Sequence, residues 1–328
     1  MASIPIVSLA AFLDGSAHQQ QALAQDVDAI CRNTGFLIVE EHGVPAPVVD
    51  AAWSAVRDFF DLPLSEKLRA RAPDPGCPRG YFPLATEALA KSLGVETPPD
   101  IKESFGVGPL QAPPRAMSDA EFAFHYGPNI WPQQPPGLRG ALTDYFTELH
   151  ALGTRLLRLF AAALSLPHDY FEQFHTAPMC ALRCLNYPAN HGPLLENQRG
   201  AGEHADYGSI TILKSDPAVP GLEIRLRSGE WVAAPLVRDG FIVNIGDMMA
   251  RWTNDRWVST MHRVISPAQS AHSPGRRQSM AFFHNASFDA DIRCIDTCRD
   301  ASQPARYAPV QAGQYLATRF NSALADQP

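Results

Sequence analysis

The tripeptide His204-Ala-Asp206, answered far down the chain by His262 and then by Arg277-Gln-Ser279, constrains this sequence more than any other feature. Successive side chains of a strand alternate in direction, so in extended backbone His204 and Asp206 project to one face. A distant third residue joins them only if the fold lays separate strands side by side. His262 lies in Ser259-Thr-Met-His-Arg-Val-Ile265, a stretch with strand propensity, and Arg277 and Ser279 lie in another. Singly these residues are ordinary: an H-x-D arises by chance, a lone histidine is usually hydrogen-bonded, and Arg277 beside Arg276 reads as solvated charge. In this order and combination they read as a metal centre with a carboxylate clamp.

Two imidazoles and one carboxylate make a facial ligand set with open positions, which suits non-haem ferrous iron. Zinc can use the same three ligands for hydrolysis, with Glu203 or another acid as base, and remains open on these residues. Arg277 favours iron, because a guanidinium pairs bidentately with the free carboxylate of a 2-oxoglutarate that chelates the metal at its other end. Ser279 shares that face and offers a hydroxyl, and Tyr187 offers a phenol as a third partner.

Composition agrees with a globular protein and argues against several other classes. The 328 residues are 45% hydrophobic and 19% charged, and the net charge of -7 gives no support for nucleic-acid binding. No apolar run approaches the roughly 18 residues of a membrane span. The N-terminal Met-Ala-Ser-Ile-Pro-Ile-Val7 has no basic segment before an apolar core, so no signal peptide is expected. The six cysteines include two C-x3-C pairs, Cys180/Cys184 and Cys294/Cys298, without a histidine at zinc-site spacing. They read as reduced thiols of a cytoplasmic protein.

Along the chain, Ile4–Val7 reads as a strand, Gln19–Arg32 as a helix, Phe36–Val39 as a strand and Val48–Phe60 as a helix. From Pro73 to Pro135, proline and glycine break any period, which predicts long ordered loops with short elements, the kind of segment that often covers a site. Leu142, Tyr145, Phe146, Leu149, Gly153, Leu156, Leu157, Phe160 and Leu164 form one helical stripe. After Met179, short strand-like runs follow: 181–187, 209–213, 222–227, 231–233, 241–245, 259–265 and 278–284. Helices followed by regularly spaced strands suggest a helical N-terminal part packed on a β-sandwich or barrel.

Gly202-Glu-His-Ala-Asp-Tyr-Gly-Ser-Ile-Thr-Ile-Leu213, Asn244-Ile-Gly-Asp247, Thr260-Met-His-Arg-Val264 and Arg277-Gln-Ser-Met-Ala-Phe-Phe283 resemble segments of the isopenicillin N synthase-like iron- and 2-oxoglutarate-dependent oxygenases. Thr34 to Val44, Arg79-Gly-Tyr81 and Asp100-Ile-Lys-Glu-Ser104 fit as well, so the resemblance spans nearly the whole chain. It implies a mainly β fold with an N-terminal α+β part: a double-stranded β-helix (jelly-roll) core with packed helices. Residues 1–175 would form the N-terminal helical and loop region and 176–328 the Fe(II)/2-oxoglutarate dioxygenase core, together one compact unit. Fe(II), 2-oxoglutarate and O2 are the implied cofactor and co-substrates, His204, Asp206 and His262 the metal ligands, and Arg277, Ser279 and Tyr187 the co-substrate site.

The similarity is strongest to thymine 7-hydroxylase-like members, and by that likeness Arg183, Tyr207 and Phe283 face the substrate. The two rings would sandwich a flat molecule. Phe82, Trp131 and Trp252 are further aromatics for a mostly apolar pocket, and Arg79 is a second cation for a polar group. The pattern departs at Leu185-Asn186 and in the loops Gly108–Ala116 and Pro188–Gly200, so chemistry transfers better than substrate. The expected reaction is hydroxylation of a small aromatic or heterocyclic molecule with release of succinate and CO2. Desaturation, ring expansion or oxidative cyclisation at the same iron are alternatives, and a zinc hydrolase or a non-catalytic binding module stand further off. The expected partner is a small-molecule substrate, with no nucleic acid, membrane or obligate protein partner.

Overall fold

Strands β1 (Ile6–Ser8), β2 (Phe36–Glu40), β3 (Gly80–Phe82), β4 (Glu103–Val107), β5 (Ala181–Tyr187), β6 (Ala201–His204), β7 (Ile210–Ser215), β8 (Leu222–Arg225), β9 (Trp231–Ala233), β10 (Phe241–Ile245), β11 (His262–Val264) and β12 (Arg277–His284) build two sheets. A separate short pair joins β13 (Asp291–Ile292) to β14 (Val310–Gln311). The computed structural model describes residues 4–324 apart from 75, 114–116, 190–194 and 268–274, so parts of the loops 108–116 and 188–200 lie outside the described residues. The larger sheet runs β1-β2-β10-β7-β12-β5-β4-β3, and the smaller runs β6-β11-β8-β9. Apart from the parallel β1–β2 pair, neighbours are antiparallel. This is the jelly-roll core with a long sheet and a short one.

Alternation along the strands assigns the two faces of the larger sheet. Leu37, Val39, Val243, Ile210, Ile212, Leu182, Cys184, Met280 and Phe282 pack into the main core with the helices. Phe36, Ile38, Ile242 and Tyr187 face the other way, against Ala201, Leu222, Ile224 and Val264 of the smaller sheet. A one-residue slip in β12 would turn Arg277 and Ser279 into the helical core, so burial on both faces pins the register.

The helices are α1 (Ala10–Leu13), α2 (Ala17–Asn33), α3 (Ala46–Phe60), α4 (Leu64–Leu68), α5 (Asp119–Tyr126), α6 (Leu138–Ala163), α7 (Asp247–Trp252) and α8 (Ala312–Leu324). A capping box between Ser16 and Gln19 starts α2. Helix α3 buries Val49, Ala52, Val56, Phe59 and Phe60, the apolar stripe read from its spacing. The stripe of α6 is buried from Leu142 to Phe160, each such Leu or Phe contributing about 1.5–3 kcal/mol. Among the described residues, no helix is long and apolar enough to cross a membrane.

The segment 73–135 is loop with short elements, as its composition suggests: β3, β4 and α5 lie within it. Strand β4 is buried throughout and sits between β3 and β5. Its signature is hidden by Glu103, an acid inside the sheet that accepts from Lys67 Nζ and Asn186 Nδ2, each at 2.8 Å, and from the Tyr81 hydroxyl. Helix α8, which the apolar pattern did not reveal, also covers part of the site.

Candidate functional site

His204 closes β6 and His262 opens β11, and these two residues are directly opposite in the antiparallel pair. Their ring centroids are 4.3 Å apart. Asp206 corrects one expectation: β6 ends at His204, so the carboxylate comes from the loop toward β7 and not from the same strand. It still arrives, with Oδ1 3.9 Å from His204 Nε2 and 3.7 Å from His262 Nε2. One ligand atom from each residue falls within 4.8 Å of the others, a separation that a single cation can bridge.

Hydrogen bonds orient this trio. Each histidine places Nδ1 against a carbonyl two residues earlier, Gly202 at 2.8 Å and Thr260 at 3.1 Å. With Nδ1–H donating there, Nε2 keeps its lone pair for a metal. Asp206 Oδ2 accepts from Thr211 Oγ1 at 2.5 Å and Asn244 Nδ2 at 2.7 Å, which leaves Oδ1 directed at the imidazoles. Burial, and then the neighbouring His262, lower the His204 pKa, which keeps the imidazole in its ligand form. Burial works against ionised Asp206, but His262, His204 and the two hydrogen bonds outweigh it and hold the carboxyl below its usual range. Two imidazoles with Nε2 turned toward an oriented carboxylate fit a divalent metal.

Arg277 lies on the same cavity and is 1% exposed. Among the described residues its partners are hydroxyls, Ser215 at 3.1 Å from Nη2 and Ser279 at 3.4 Å from Nη1, and Nε has none. The Tyr187 ring lies 5.0 Å from the guanidinium carbon. A buried cation held only by neutral hydroxyls is costly until an anion completes it, which is the fit expected for a dicarboxylate co-substrate. Alternation along β12 and β5 sends Arg277, Ser279, Ala281 and Phe283, together with Ala181, Arg183, Leu185 and Tyr187, into one cavity of about 270 Å³.

Another wall of the cavity is a charge network missed by the sequence reading. Arg183 Nη2 meets Glu87 Oε1 at 2.5 Å and Ser104 Oγ at 3.1 Å, and its guanidinium stacks on Phe82 at 4.3 Å. Lys102 lies 3.6 Å from Glu87 and 2.6 Å from Asp100. Asp100 Oδ1 in turn accepts from the Gly202 amide at 2.9 Å, tying this wall to the strand that carries His204. Burial alone would raise the Glu87 pKa, but Arg183 and Lys102 bring it down to about 2.

The remaining expected residues divide. Arg79, Tyr207 and Phe283 line the cavity, and Arg79 Nη1 donates to the carbonyls of Ala123 and Phe124. Trp252 is a correction: at the end of α7 its ring packs against Phe171 and Phe174, 5.1 and 4.9 Å away, and does not line this cavity. Trp131 likewise packs on Phe105, and Glu203, one candidate base for a zinc hydrolase, accepts from Arg263 Nη1 at 2.9 Å. Leu316 and Phe320 of α8 also line the cavity, and Phe320 meets Tyr207 edge-on at 5.6 Å.

Residues 4–134 match the non-haem dioxygenase N-terminal family, and residues 177–286 match the 2OG-Fe(II) oxygenase superfamily. The chain is 32% identical to a homoarginine-6-hydroxylase from Oryza sativa subsp. japonica, over 90% of this chain and 87% of the relative. It is 33% identical to a proline hydroxylase from Petromyces alliaceus, covering 94% and 96%. Among solved structures, thymine 7-hydroxylase from Neurospora crassa with 2-oxoglutarate and thymine superposes with a TM-score of 0.83 at 27% identity, covering 99% of this chain and 97% of that one.

Proposed function

The chain belongs to the iron- and 2-oxoglutarate-dependent oxygenases, enzymes that use Fe(II), 2-oxoglutarate and O2, and from that premise we propose that it hydroxylates a small aromatic or heterocyclic molecule, releasing succinate and CO2. The observation that carries this reading is the buried Arg277, short of an anionic partner, on the same cavity as His204, Asp206 and His262. In this reading those three residues hold the iron. Bound there, iron(II) supplies oxygen activation coupled to oxidative decarboxylation of 2-oxoglutarate.

The protein's own residues do the rest. Arg277 binds the distal carboxylate of the co-substrate, Ser279 donates its hydroxyl to the same group, and Tyr187 forms the wall beside it. Thr211 and Asn244 keep Asp206 turned toward the imidazoles. Tyr207 and Phe283 flank a flat substrate, and Arg183 and Arg79 offer donors to its polar edge. The apolar lining, together with Leu316 and Phe320, excludes water and fixes which C–H bond is presented. Relatives that act on thymine, homoarginine and proline support a compact substrate bearing polar groups. We assign residues 1–175 to the N-terminal region and 176–328 to the oxygenase core, folded as one unit through the shared larger sheet.

Oxygen uptake with iron and 2-oxoglutarate tests this reading, with succinate measured alongside. A substrate screen in anaerobic protein, followed by oxygen and mass spectrometry, is expected to give a product heavier by one oxygen atom. Loss of two hydrogens would replace hydroxylation by desaturation. Uptake indifferent to 2-oxoglutarate would remove the co-substrate from the scheme.

A further inference from the structure

A second group of metal-type side chains lies deeper in the fold. His150 on α6, Cys180 just ahead of β5 and His284 at the end of β12 each offer a ligand atom, all within 4.8 Å of one another. Among the described residues, this group and the His204–Asp206–His262 trio are the two that meet that criterion. The His150 and His175 rings stand 5.3 and 5.1 Å from the His284 ring, His175 stacked flat upon it. Gly153 permits the approach of α6, because a Cβ there would sit 2.3 Å from the His284 ring.

Hydrogen-bond accounting separates this group from ordinary core packing. His284 is 0% exposed, and among the described residues neither ring nitrogen has a partner. A neutral imidazole carries one donor and one acceptor, and native cores rarely leave both unpaired unless a water or an ion completes them. The neighbours supply little: Phe282 lies 6.2 Å away, and His175 spends Nδ1 on the Phe171 carbonyl while its Nε2 is also unpaired. Burial lowers the pKa of His150, brings His175 to about 4 and holds His284 well below its usual value, so all three are neutral. Burial also pushes the Cys180 thiol up, so without a cation it keeps its proton.

We propose that His150, Cys180 and His284 form a second metal site for a soft d10 cation, copper(I) in preference to zinc(II). Two imidazoles and a thiolate without any carboxylate are the donor set that copper selects. On binding, the Cys180 S–H bond breaks, a sulfur–metal bond forms and the proton leaves to solvent. Copper(I) and the thiolate then cancel in charge, whereas zinc(II) leaves a net positive charge in an apolar core. Cys180 also lines the oxygenase cavity, which gives the cation a route in. Once bound, it ties α6 to the strand that carries Arg277 and Ser279. The proposal is independent of the oxygenase reaction, because none of its three ligands serves that chemistry.

Anaerobic titration of the full chain, loaded with Fe(II) and 2-oxoglutarate, with copper(I) buffered by a colorimetric chelator tests the site; zinc(II) is titrated in parallel. One equivalent of copper(I) is expected beyond the iron, with a thiolate-to-copper absorption and a raised Tm. That equivalent is expected to disappear in Cys180→Ala and in His150→Gln and to persist in His204→Ala. Circular dichroism of both variants separates lost binding from lost folding, and the half-buried His150 provides the milder change. Zinc binding without copper binding overturns the cation preference. No equivalent of either cation, or one that survives both Cys180→Ala and His150→Gln or vanishes in His204→Ala, overturns the site.

Discussion

At one end of the cavity, polar support stops just behind the functional atoms: Thr211 and Asn244 hold one oxygen of Asp206, backbone carbonyls hold the Nδ1 atoms, and Arg277 has only hydroxyls. At the other end, Arg183, Glu87, Lys102 and Asp100 satisfy one another with no outside ligand. The first end is electrostatically incomplete and gains by admitting a cation and an anion. The second is closed on itself, so a substrate gains there only by sharing or displacing an existing ion pair. Chemistry is therefore written into the incomplete end, and selectivity into the closed one.

The largest break in this contrast is expected from Asp206→Ala, which removes the carboxylate that faces both imidazoles. Iron content and 2-oxoglutarate turnover should fall to background, read by metal analysis and succinate release. Next, Arg277→Leu is expected to weaken 2-oxoglutarate binding by about 2–5 kcal/mol, roughly 30- to 5,000-fold, with iron retained. Calorimetry on the anaerobic iron-loaded protein measures it. Arg277→Lys should recover little, because an ammonium cannot reproduce the bidentate fork. A smaller loss, about 10- to 100-fold in iron affinity, is expected from Asn244→Ala, which frees Asp206 to turn.

The closed end should respond mainly to pH. The Glu87 carboxyl is depressed from 4.5 to about 2, so its ion pairs contribute stability that is fully present above pH 4.5 and is lost as pH falls toward 2. Urea midpoints across that window should fall less steeply for Glu87→Gln than for the parent. The same change leaves Arg183 without its carboxylate and should shift substrate preference toward anionic molecules. Equal slopes for the two proteins would mean that this wall is not held by charge.

The two ends also differ in how readable they are from sequence. His204, Asp206, His262, Arg277 and Ser279 announce themselves by short spacings within strand-like segments, and the alternation of β12 and β5 carries Arg183, Tyr187 and Phe283 to the cavity face. The network around Glu87 has no such period, because Glu87, Asp100, Lys102 and Arg183 come from separate segments that meet only after the sheet closes. Glu103 concealed β4 because its satisfied charge looks like a surface residue until Lys67, Tyr81 and Asn186 are seen around it. Size and aromaticity suit Trp252 to a pocket, but they equally serve the core between Phe171 and Phe174. Likewise, His150 and His284 lie too far from Cys180 in sequence for any spacing rule to group them.

Anaerobic titration of the Fe(II)-loaded protein with 2-oxoglutarate, followed by its weak visible absorption band, tests the central claim most directly. The band should grow to saturation at one 2-oxoglutarate per iron in the parent and be absent in Asp206→Ala. A full band in Asp206→Ala, or saturable 2-oxoglutarate binding that leaves the iron spectrum unchanged, would contradict the assignment of His204, Asp206 and His262 as the metal centre.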